Sequence, residues 1–273
     1  MSLFTGKTAI ITGGASGIGL AVSKELARHG AHVVIADING PAVEKAAESI
    51  SKEGSKARAV RLDVTDVNAV KKLVDDVVSR NGRLDYLFNN AGIGVGGEAR
   101  DFEYEDWKNV IDVNLYGVVN GVVAAYSLMV RQGFGHIINT SSLAGIVPFP
   151  FELSYTTSKF GVVGLSNALR VEGRELGVKV SVVCPGFIDT PIYYTSKAAN
   201  IDREKSFAHF PKFLSADECA RIILKGVERN KAIIVVTLLA KVLWILHRIS
   251  PEFTFRIIMS RFARQMRELR IKK

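Results

Sequence analysis

The run KTAIITGGASGIG, residues 7–19, carries the strongest indication of architecture in this chain. Its first half is largely apolar, its second half is rich in glycine, and a helical pattern follows from Leu20 to His29. That order predicts a strand, a tight turn and a helix. Glycines let a backbone approach a pyrophosphate closely, and the N-terminus of a helix offers unpaired N–H groups to the anion. The run therefore predicts a dinucleotide-binding unit.

The choice of dinucleotide depends on Asp37, which ends a second apolar run at residues 32–36. Folds of this kind place a carboxylate at about this distance from the glycine-rich turn, on the adenosine ribose. A carboxylate accepts hydrogen bonds from both ribose hydroxyls but repels the 2′-phosphate of NADP. An NADP site would be expected to carry Lys or Arg at Asp37 or Ser16. The sequence thus favours NAD over NADP; the alternative is that Asp37 only starts the turn at residues 39–41.

The rest of the chain alternates predicted strands and helices. A length of 273 residues, 48% of them hydrophobic, suffices to bury one sheet between two helical layers. Strands are predicted at residues 7–12, 32–36, 57–62, 85–89, 135–140, 178–183 and 232–236. Several lack polar alternation, which is typical of a parallel sheet covered on both faces. We expect an α/β fold, a Rossmann-like doubly wound parallel sheet of about seven strands in residues 1–240, followed by a helical extension in residues 241–273.

A candidate for chemistry is the pair Tyr155 and Lys159, with Ser141 and Ser142 upstream. Residues i and i+4 share a helix face, so the phenol and the ammonium can point into one site. A tyrosine that acts as a base at neutral pH needs its pKa lowered by roughly 3 units, and an adjacent ammonium favours the phenolate. Taken alone, the pair would more often belong to a solvated helix face. The predicted dinucleotide site makes an active site the better interpretation.

Together these motifs resemble those of short-chain dehydrogenases/reductases of the compact type, over about 230 residues. The matching positions are Thr12-Gly13 with Gly17-Ile18-Gly19, Asn89-Asn90-Ala91-Gly92 after the fourth strand, Asn114, Ser142, Tyr155 with Lys159, and Pro185-Gly186 followed by Thr190. Ser142 lies thirteen residues before Tyr155, the spacing at which the family keeps its catalytic serine.

The resemblance implies an NAD(H)-dependent oxidoreductase that interconverts a secondary alcohol and a ketone. Tyr155 would exchange a proton with the substrate oxygen, and Ser142 would hydrogen-bond that oxygen. Lys159 would hold the nicotinamide ribose and lower the tyrosine pKa, while Asn114 would help position a water that carries the proton to solvent. The residues implied at the NAD site are Gly13, Ser16, Gly17, Ile18, Gly19, Asp37, Asp63, Val64, Asn90, Ala91, Gly92, Tyr155, Lys159, Pro185, Gly186, Ile188 and Thr190.

The positive charge of the chain is concentrated in residues 241–273, which hold nine Lys or Arg residues and two Glu residues, a net 9 − 2 = +7 of the formal +9. An apolar stretch, residues 232–246, precedes Pro251. After it, one helical face is apolar and the rest is basic. The apolar face consists of Phe255, Ile258, Met259, Phe262, Met266 and Leu269.

Three interpretations of this extension stay open. It can pack on its own domain or on a partner subunit, with its arginines solvated. It can lie on a membrane surface, where an apolar face with basic flanks is attracted to anionic lipid. It can also bind an acidic partner, such as an acyl carrier protein. Nucleic acid is not expected, since no recognition motif accompanies the charge.

Segments that border the active site in this family are rich in apolar and aromatic side chains in this chain. They contribute Leu143, Ile146, Val147, Phe149, Phe151, Phe187, Ile192, Tyr193, Tyr194, Phe207, Phe210 and Phe213. We interpret them as a pocket for a hydrophobic alcohol or ketone of the steroid, retinoid or lipid kind. Ordinary core packing explains the same residues almost as well.

Two other functions remain as alternatives. A 3-oxoacyl carrier protein reductase would use an acidic carrier that suits the basic extension, but Asp37 counts against it because such reductases usually use NADPH. A binding or scaffold protein could retain the fold, although the intact set of Ser142, Tyr155 and Lys159 speaks against lost catalysis.

The remaining predictions concern metal, location and assembly. Cys184, Cys219 and five scattered His residues suggest no metal site. Residues 1–7 carry no secretory signal, so we expect a cytoplasmic protein with reduced thiols, or one peripheral to a membrane surface if the second interpretation of the extension holds. The family is commonly dimeric or tetrameric, which implies a homodimer or homotetramer here.

Overall fold

The computed structural model of the protein describes residues 2–207 and 210–271, with Phe207 described by its backbone. The strands are β1 (Thr8–Thr12), β2 (His32–Asp37), β3 (Lys56–Arg61), β4 (Tyr86–Asn89), β5 (Val95–Gly97), β6 (Gly135–Thr140), β7 (Val178–Cys184), β8 (Lys197–Ala199) and β9 (Ile233–Val235). The helices are α1 (Gly17–Arg28), α2 (Gly40–Lys52), α3 (Val67–Asn81), α4 (Tyr104–Ile111), α5 (Gly117–Gln132), α6 (Leu153–Gly173), α7 (Ile192–Thr195), α8 (Arg203–Phe207), α9 (Ala216–Glu228), α10 (Leu238–Ile249), α11 (Pro251–Phe253) and α12 (Ser260–Glu268). Two π-helical turns join them, at Asp112–Tyr116 and Thr254–Met259.

The central sheet has seven strands in the order β3-β2-β1-β4-β6-β7-β9, all parallel. This confirms the predicted doubly wound fold, with predicted strand ends off by one residue or so. Strands β5 and β8 form a separate parallel pair that the sequence did not predict. Three-residue strands such as Val95–Gly97 are too short to show a hydrophobic pattern.

Helices cover both faces of the sheet. Successive strand residues point to opposite faces, so Ile10 and Leu87 join the core beneath α3, α5 and α6, whereas Ile11 and Phe88 join the core beneath α1, α2 and α9. All four side chains are at most 2% exposed. The carboxyl ends of the parallel strands therefore meet at one edge of a well-packed sheet.

The continuous helical stretch Tyr104–Gln132 is long and apolar enough to span a bilayer by length and composition. Its apolar side chains include Val118, Val122, Ala125 and Met129, which are buried in the core beneath the sheet. Core packing thus accounts for part of its apolar composition.

The C-terminal segment forms the predicted helical extension and packs back on the domain. The predicted boundary after residue 240 falls inside α10, whose Ala240 is fully buried. Met259 and Met266 are also buried, but Phe255 stays 42% exposed. The π-helical turn at Thr254–Met259 rotates the helix face by inserting an extra residue, so the predicted apolar face is divided between the core and the surface.

The inner side of the extension is held by ion pairs to the domain. Arg267 lies 2.8 Å from the carboxylate of Glu98, and Arg270 lies 2.8 Å from that of Asp101. Hydrogen bonding from Arg270 is the largest cause that lowers the pKa of Asp101. Two of the basic residues of the extension therefore bind acids of their own domain.

Candidate active site

A cavity of about 450 Å³ opens at the carboxyl edge of the sheet and brings most of the predicted site residues together. The predicted residues that line it are Gly13, Ser16, Gly17, Ile18, Asp37, Asp63, Val64, Asn90, Ala91, Gly92, Ser142, Tyr155, Lys159, Pro185, Gly186, Ile188 and Thr190. Gly19 and Asn114 lie outside this lining.

The glycine-rich turn fits a phosphate-bearing ligand. Gly13 has a φ of +62°, and a Cβ there would lie 2.7 Å from Cα of Ala91. A Cβ at Gly19 would lie 2.1 Å from the carbonyl oxygen of Gly13, so Gly19 lets α1 pack against the turn from behind. Ser16 precedes α1 without a side-chain capping bond, and the first turn carries no acidic residue. The N–H groups of the first turn of α1 therefore suit an anion.

Hydrogen bonds to the loop after β4 fix the glycine-rich turn in place. The hydroxyl of Thr12 accepts hydrogen bonds from the N–H groups of Asn90 and Ala91, at 3.0 and 3.2 Å. The amide of Asn90 donates in return to the carbonyl oxygens of Thr12 and Gly13, at 3.1 and 3.2 Å. The two loops that would contact a dinucleotide thus form one rigid unit.

Asp37 starts the turn into α2, as one interpretation of the sequence expected, and its role in binding a ribose stays a prediction. One carboxylate oxygen accepts from the N–H of Asn39 at 3.0 Å, which starts the turn into α2. The other accepts from the N–H of Ala15 at 3.1 Å, which ties β2 to the glycine-rich turn. The side chain also faces the cavity. A carboxylate has about four acceptor positions, so further acceptor capacity is left for ribose hydroxyls.

Ser142, Tyr155 and Lys159 meet at the middle of the cavity. The Ser142 hydroxyl accepts a hydrogen bond from the N–H of Ala144 at 3.1 Å and interacts with the phenol of Tyr155. Nζ of Lys159 lies 5.4 Å from the centre of the Tyr155 ring. The hydroxyl of Ser141 instead donates to the carbonyl of Lys159 at 2.8 Å, so Ser141 anchors α6 to the end of β6.

Lys159 is a buried cation with unused donors. Its Nζ donates to the carbonyl oxygen of Thr140 at 2.9 Å, and no acidic partner is found among the described residues. An ammonium has three N–H donors, so two are left to face the cavity. Burial lowers the pKa of Lys159 to about 8. These properties fit a ligand that carries hydroxyl groups.

The pKa of Tyr155 moves in the opposite direction to the one expected from the sequence. Burial raises it, the charge of Glu152 raises it further, and the hydrogen bond from Ser142 lowers it. Desolvation of the phenolate outweighs the other causes in this geometry, and the predicted lowering by Lys159 stays a prediction. Tyr155 is therefore protonated at neutral pH.

Asn114 lies in the π-helical turn between α4 and α5 and is fully buried. Its Oδ1 accepts from the N–H of Ile93 at 2.8 Å, and its Nδ2 donates to the Ile93 carbonyl at 2.9 Å and to the Ser158 hydroxyl at 3.2 Å. The amide thus joins the loop after β4 to α6, next to Lys159. Its predicted role in positioning a water stays a prediction. A π turn at such a position is common at functional sites and is not visible in hydrophobic periodicity.

Glu152 is a cavity residue that the sequence analysis missed. Its carboxylate faces the cavity just before α6, and burial raises its pKa to about 7. No side-chain partner for it is found among the described residues. A lone Glu before a helix carries no signal in sequence, since surface carboxylates are common there.

We expect Glu152→Gln to stabilise the fold at alkaline pH only. The pKa of Glu152 in the folded state is raised above its value in the unfolded state. The carboxyl therefore contributes its full amount to the free energy of unfolding below about pH 4.5, and this contribution is lost as pH rises through about 7. Replacement by a neutral amide should raise the thermal unfolding midpoint by about 5 °C near pH 8 and by less than about 1 °C near pH 5. Thermal scans at both pH values measure this, with the exposed Glu105→Gln as the control. A pH-independent difference would contradict the buried carboxyl.

The far end of the cavity is apolar. Of the predicted pocket residues, Leu143, Phe149, Phe151, Phe187, Ile192, Tyr193 and Phe210 line it, whereas Ile146, Val147, Tyr194 and Phe213 do not. The side chain of Phe207 lies outside the described residues. Phe262 and Met266 of α12 complete the wall, and the Phe262 ring lies 5.9 Å from that of Phe149. Sequence reasoning found the apolar face of the extension but could not show that it borders the cavity.

Comparisons with known proteins agree with this geometry. Residues 7–200 match the family model for short chain dehydrogenases. A putative oxidoreductase, SadH of Mycobacterium tuberculosis, is 34% identical over 270 residues, 97% of this chain and 98% of the relative. The 3-oxoacyl-[acyl-carrier-protein] reductase FabG of Thermotoga maritima is 37% identical over 221 residues, 80% of this chain and 89% of the relative.

A solved structure shows the same likeness in three dimensions. A short-chain dehydrogenase/reductase from Burkholderia phymatum, crystallised in complex with NAD, superposes with a TM-score of 0.85 and 29% identity over 93% of this chain and 97% of its own. The family match covers more than half of the chain and includes the cofactor turn, Ser142, Tyr155 and Lys159. The chain therefore belongs to the short-chain dehydrogenase/reductase family of oxidoreductases.

Proposed function

We propose that this protein is an NAD(H)-dependent oxidoreductase that interconverts a hydrophobic secondary alcohol and its ketone. The observation that carries the proposal is the position of Ser142, Tyr155 and Lys159 in the same cavity as the Asp37 carboxylate. Such a cavity can hold a dinucleotide and a substrate side by side. The apolar wall beyond Tyr155 supports a hydrophobic substrate.

The proposed chemistry uses few groups of the chain. When bound, the nicotinamide gives or takes the hydride. Tyr155 gives its proton to the carbonyl oxygen during reduction and takes it back from the alcohol during oxidation. Ser142 stabilises the charge that develops on that oxygen. The free N–H groups of Lys159 hold the ribose and stabilise the phenolate that Tyr155 leaves behind.

Glu152 adds an acidic group to the largely apolar wall of the pocket. Its neutral form can donate a hydrogen bond and its charged form can accept one, so a second hydroxyl or carbonyl on the substrate would have a partner in the wall. The Glu152 carboxyl should therefore favour hydrophobic substrates with a second polar atom over simple hydrocarbon alcohols.

A substrate screen tests the proposal. Purified protein is incubated with NAD and a panel of steroid, retinoid and long-chain secondary alcohols, with and without a second oxygen, and NADH formation is followed by absorbance. We expect turnover with at least one hydrophobic secondary alcohol, and none with Tyr155→Phe. Turnover confined to small polar alcohols would contradict the hydrophobic pocket, and no turnover in either direction across the panel would favour the binding or scaffold alternative.

A 3-oxoacyl carrier protein reductase is the second candidate, favoured by the 37% identity to the FabG relative. Asp37 stands against it, because reductases of that kind usually use NADPH. Rates with an acetoacetyl thioester and each of NADH and NADPH distinguish the two. Faster reduction with NADPH would support this candidate over the one we propose.

A further inference from the structure

Helix α10 presents an apolar stripe to solvent. The outer stripe consists of Leu238, Val242, Ile245 and Ile249, which are 76%, 45%, 53% and 77% exposed. Their spacing of four, three and four residues places them on one helix face. The opposite face packs against the core through Ala240 and Trp244. Helix α10 is therefore apolar on both sides, but only its inner side is covered.

The apolar surface continues beyond the end of α10. Phe253 and Phe255 are 48% and 42% exposed. The ring of Phe255 lies 5.4 Å from that of His247, so the turn after α10 folds back beside it. A group of large exposed apolar side chains on a folded domain usually marks an interaction surface.

Cations flank the outer stripe. Lys241 and Arg248 lie about two turns apart along its edge, both exposed, and neither has an acidic partner among the described residues. The guanidinium of Arg248 stacks over the Trp244 ring, 5.3 Å from its centre. Glu252 is the one acidic residue between positions 238 and 260, and it is paired with Arg256. The charge beside the stripe is therefore uncompensated.

An apolar helix face with unpaired cations at its edge fits the surface of an anionic lipid bilayer. The apolar side chains enter the boundary of the acyl chains, and the Lys and Arg side chains extend to the headgroups. A second copy of this chain fits less well, since a two-fold contact through the stripe would bring Lys241 and Arg248 towards the same cations of the other copy. We propose that the outer stripe holds this protein on an anionic membrane surface.

The outer stripe and part of the apolar end of the cavity belong to one continuous segment of the chain, so membrane binding would bring the substrate pocket towards the bilayer. The same segment continues into α12, where Phe262 and Met266 line the apolar end of the cavity. A membrane below α10 would thus lie close to the pocket for a hydrophobic substrate. Membrane binding does not depend on the proposed reaction, so it is measured without an activity assay.

Sedimentation with vesicles tests the proposal on the full chain. One set of vesicles is phosphatidylcholine, and the other contains equal parts of phosphatidylcholine and phosphatidylglycerol. We expect binding to the mixed vesicles at least about tenfold tighter than to phosphatidylcholine alone. Val242→Ser, Ile245→Ser and Ile249→Ser combined should weaken binding by about 100-fold, because three apolar side chains that would be partly buried in the bilayer are lost. Lys241→Gln with Arg248→Gln should remove the preference for the anionic vesicles.

Matched exposed residues outside the extension provide the control. Val123 and Val171 are 64% and 76% exposed on α5 and α6, so Val123→Ser with Val171→Ser removes exposed apolar side chains elsewhere on the surface and should leave vesicle binding unchanged. Mass measured by light scattering should be the same for the wild-type and stripe variants. The proposal would be overturned if the wild-type protein did not bind vesicles, or if the stripe variant bound them equally well. A lower mass of the stripe variant would also overturn it, because the stripe would then contact a second copy.

Discussion

Tyr155→Phe is expected to lower the catalytic rate by about 1,000-fold, the loss that follows when a general acid or base is removed. The substitution deletes one oxygen atom and leaves the ring in its packing. Burial and the charge of Glu152 raise the pKa of the phenol, which stays protonated at neutral pH beside the Ser142 hydroxyl. The proton that the phenylalanine variant lacks is therefore the one that a ketone oxygen would receive.

Binding of NADH separates a catalytic role of Tyr155 from a structural one. We expect the variant to bind NADH within about twofold of the wild-type protein, since the substitution leaves Asp37 and the glycine-rich turn unchanged. Tyr104→Phe is the matched control, because Tyr104 is 78% exposed at the start of α4. Steady-state rates and fluorescence titration measure both quantities. Retained activity in Tyr155→Phe would refute the assignment, and lost NADH binding would show a structural effect instead.

The raised pKa of Tyr155 bears on the direction in which the site is prepared to act. A protonated phenol can donate immediately to a ketone, whereas oxidation of an alcohol needs the phenolate or a coupled proton acceptor. The two unused N–H groups of Lys159 supply positive charge close to the oxygen once the proton has left. The polar groups are thus arranged around the charged species that would form during the proposed reaction, although desolvation opposes that charge in the resting cavity.

The sequence predicted the parts of the site that depend on short-range pattern. The glycine-rich turn, Asp37 at the end of β2 and the four-residue spacing of Tyr155 and Lys159 are local features, and the parallel doubly wound sheet follows from the alternation of strands and helices. The structure places most of them in one cavity.

The parts that sequence reasoning missed depend on long-range packing. Glu152 matters because it faces the cavity, where burial raises its pKa, and its neighbours in sequence do not indicate this. Phe262 reaches the cavity only because the extension folds back and Arg270 pairs with Asp101, 169 positions away. The pKa of Tyr155 was predicted in the wrong direction for the same reason, since charge spacing is visible in sequence and desolvation is not.

Asp37→Asn is expected to reduce the preference for NADH over NADPH by about 100-fold. An amide removes the charge that repels a 2′-phosphate and exchanges one hydrogen-bond acceptor for a donor, and bonds to a charged acceptor contribute about 1.5–3 kcal/mol. NADH affinity should fall while NADPH affinity stays level or rises. Fluorescence titration of both nucleotides with wild-type protein and variant gives the four dissociation constants.

The second role of Asp37 makes a control necessary, because its carboxylate also holds the N–H groups of Ala15 and Asn39. If loosening of the glycine-rich turn were the main effect, both nucleotides would lose affinity equally and the ratio would not change. Asp66→Asn removes the same charge at the N-terminal cap of α3, where Asn caps as well as Asp, and should leave the ratio unchanged. A wild-type protein that binds NADPH more tightly than NADH would contradict the NAD assignment outright. An unchanged ratio in Asp37→Asn would instead show that another group selects the nucleotide.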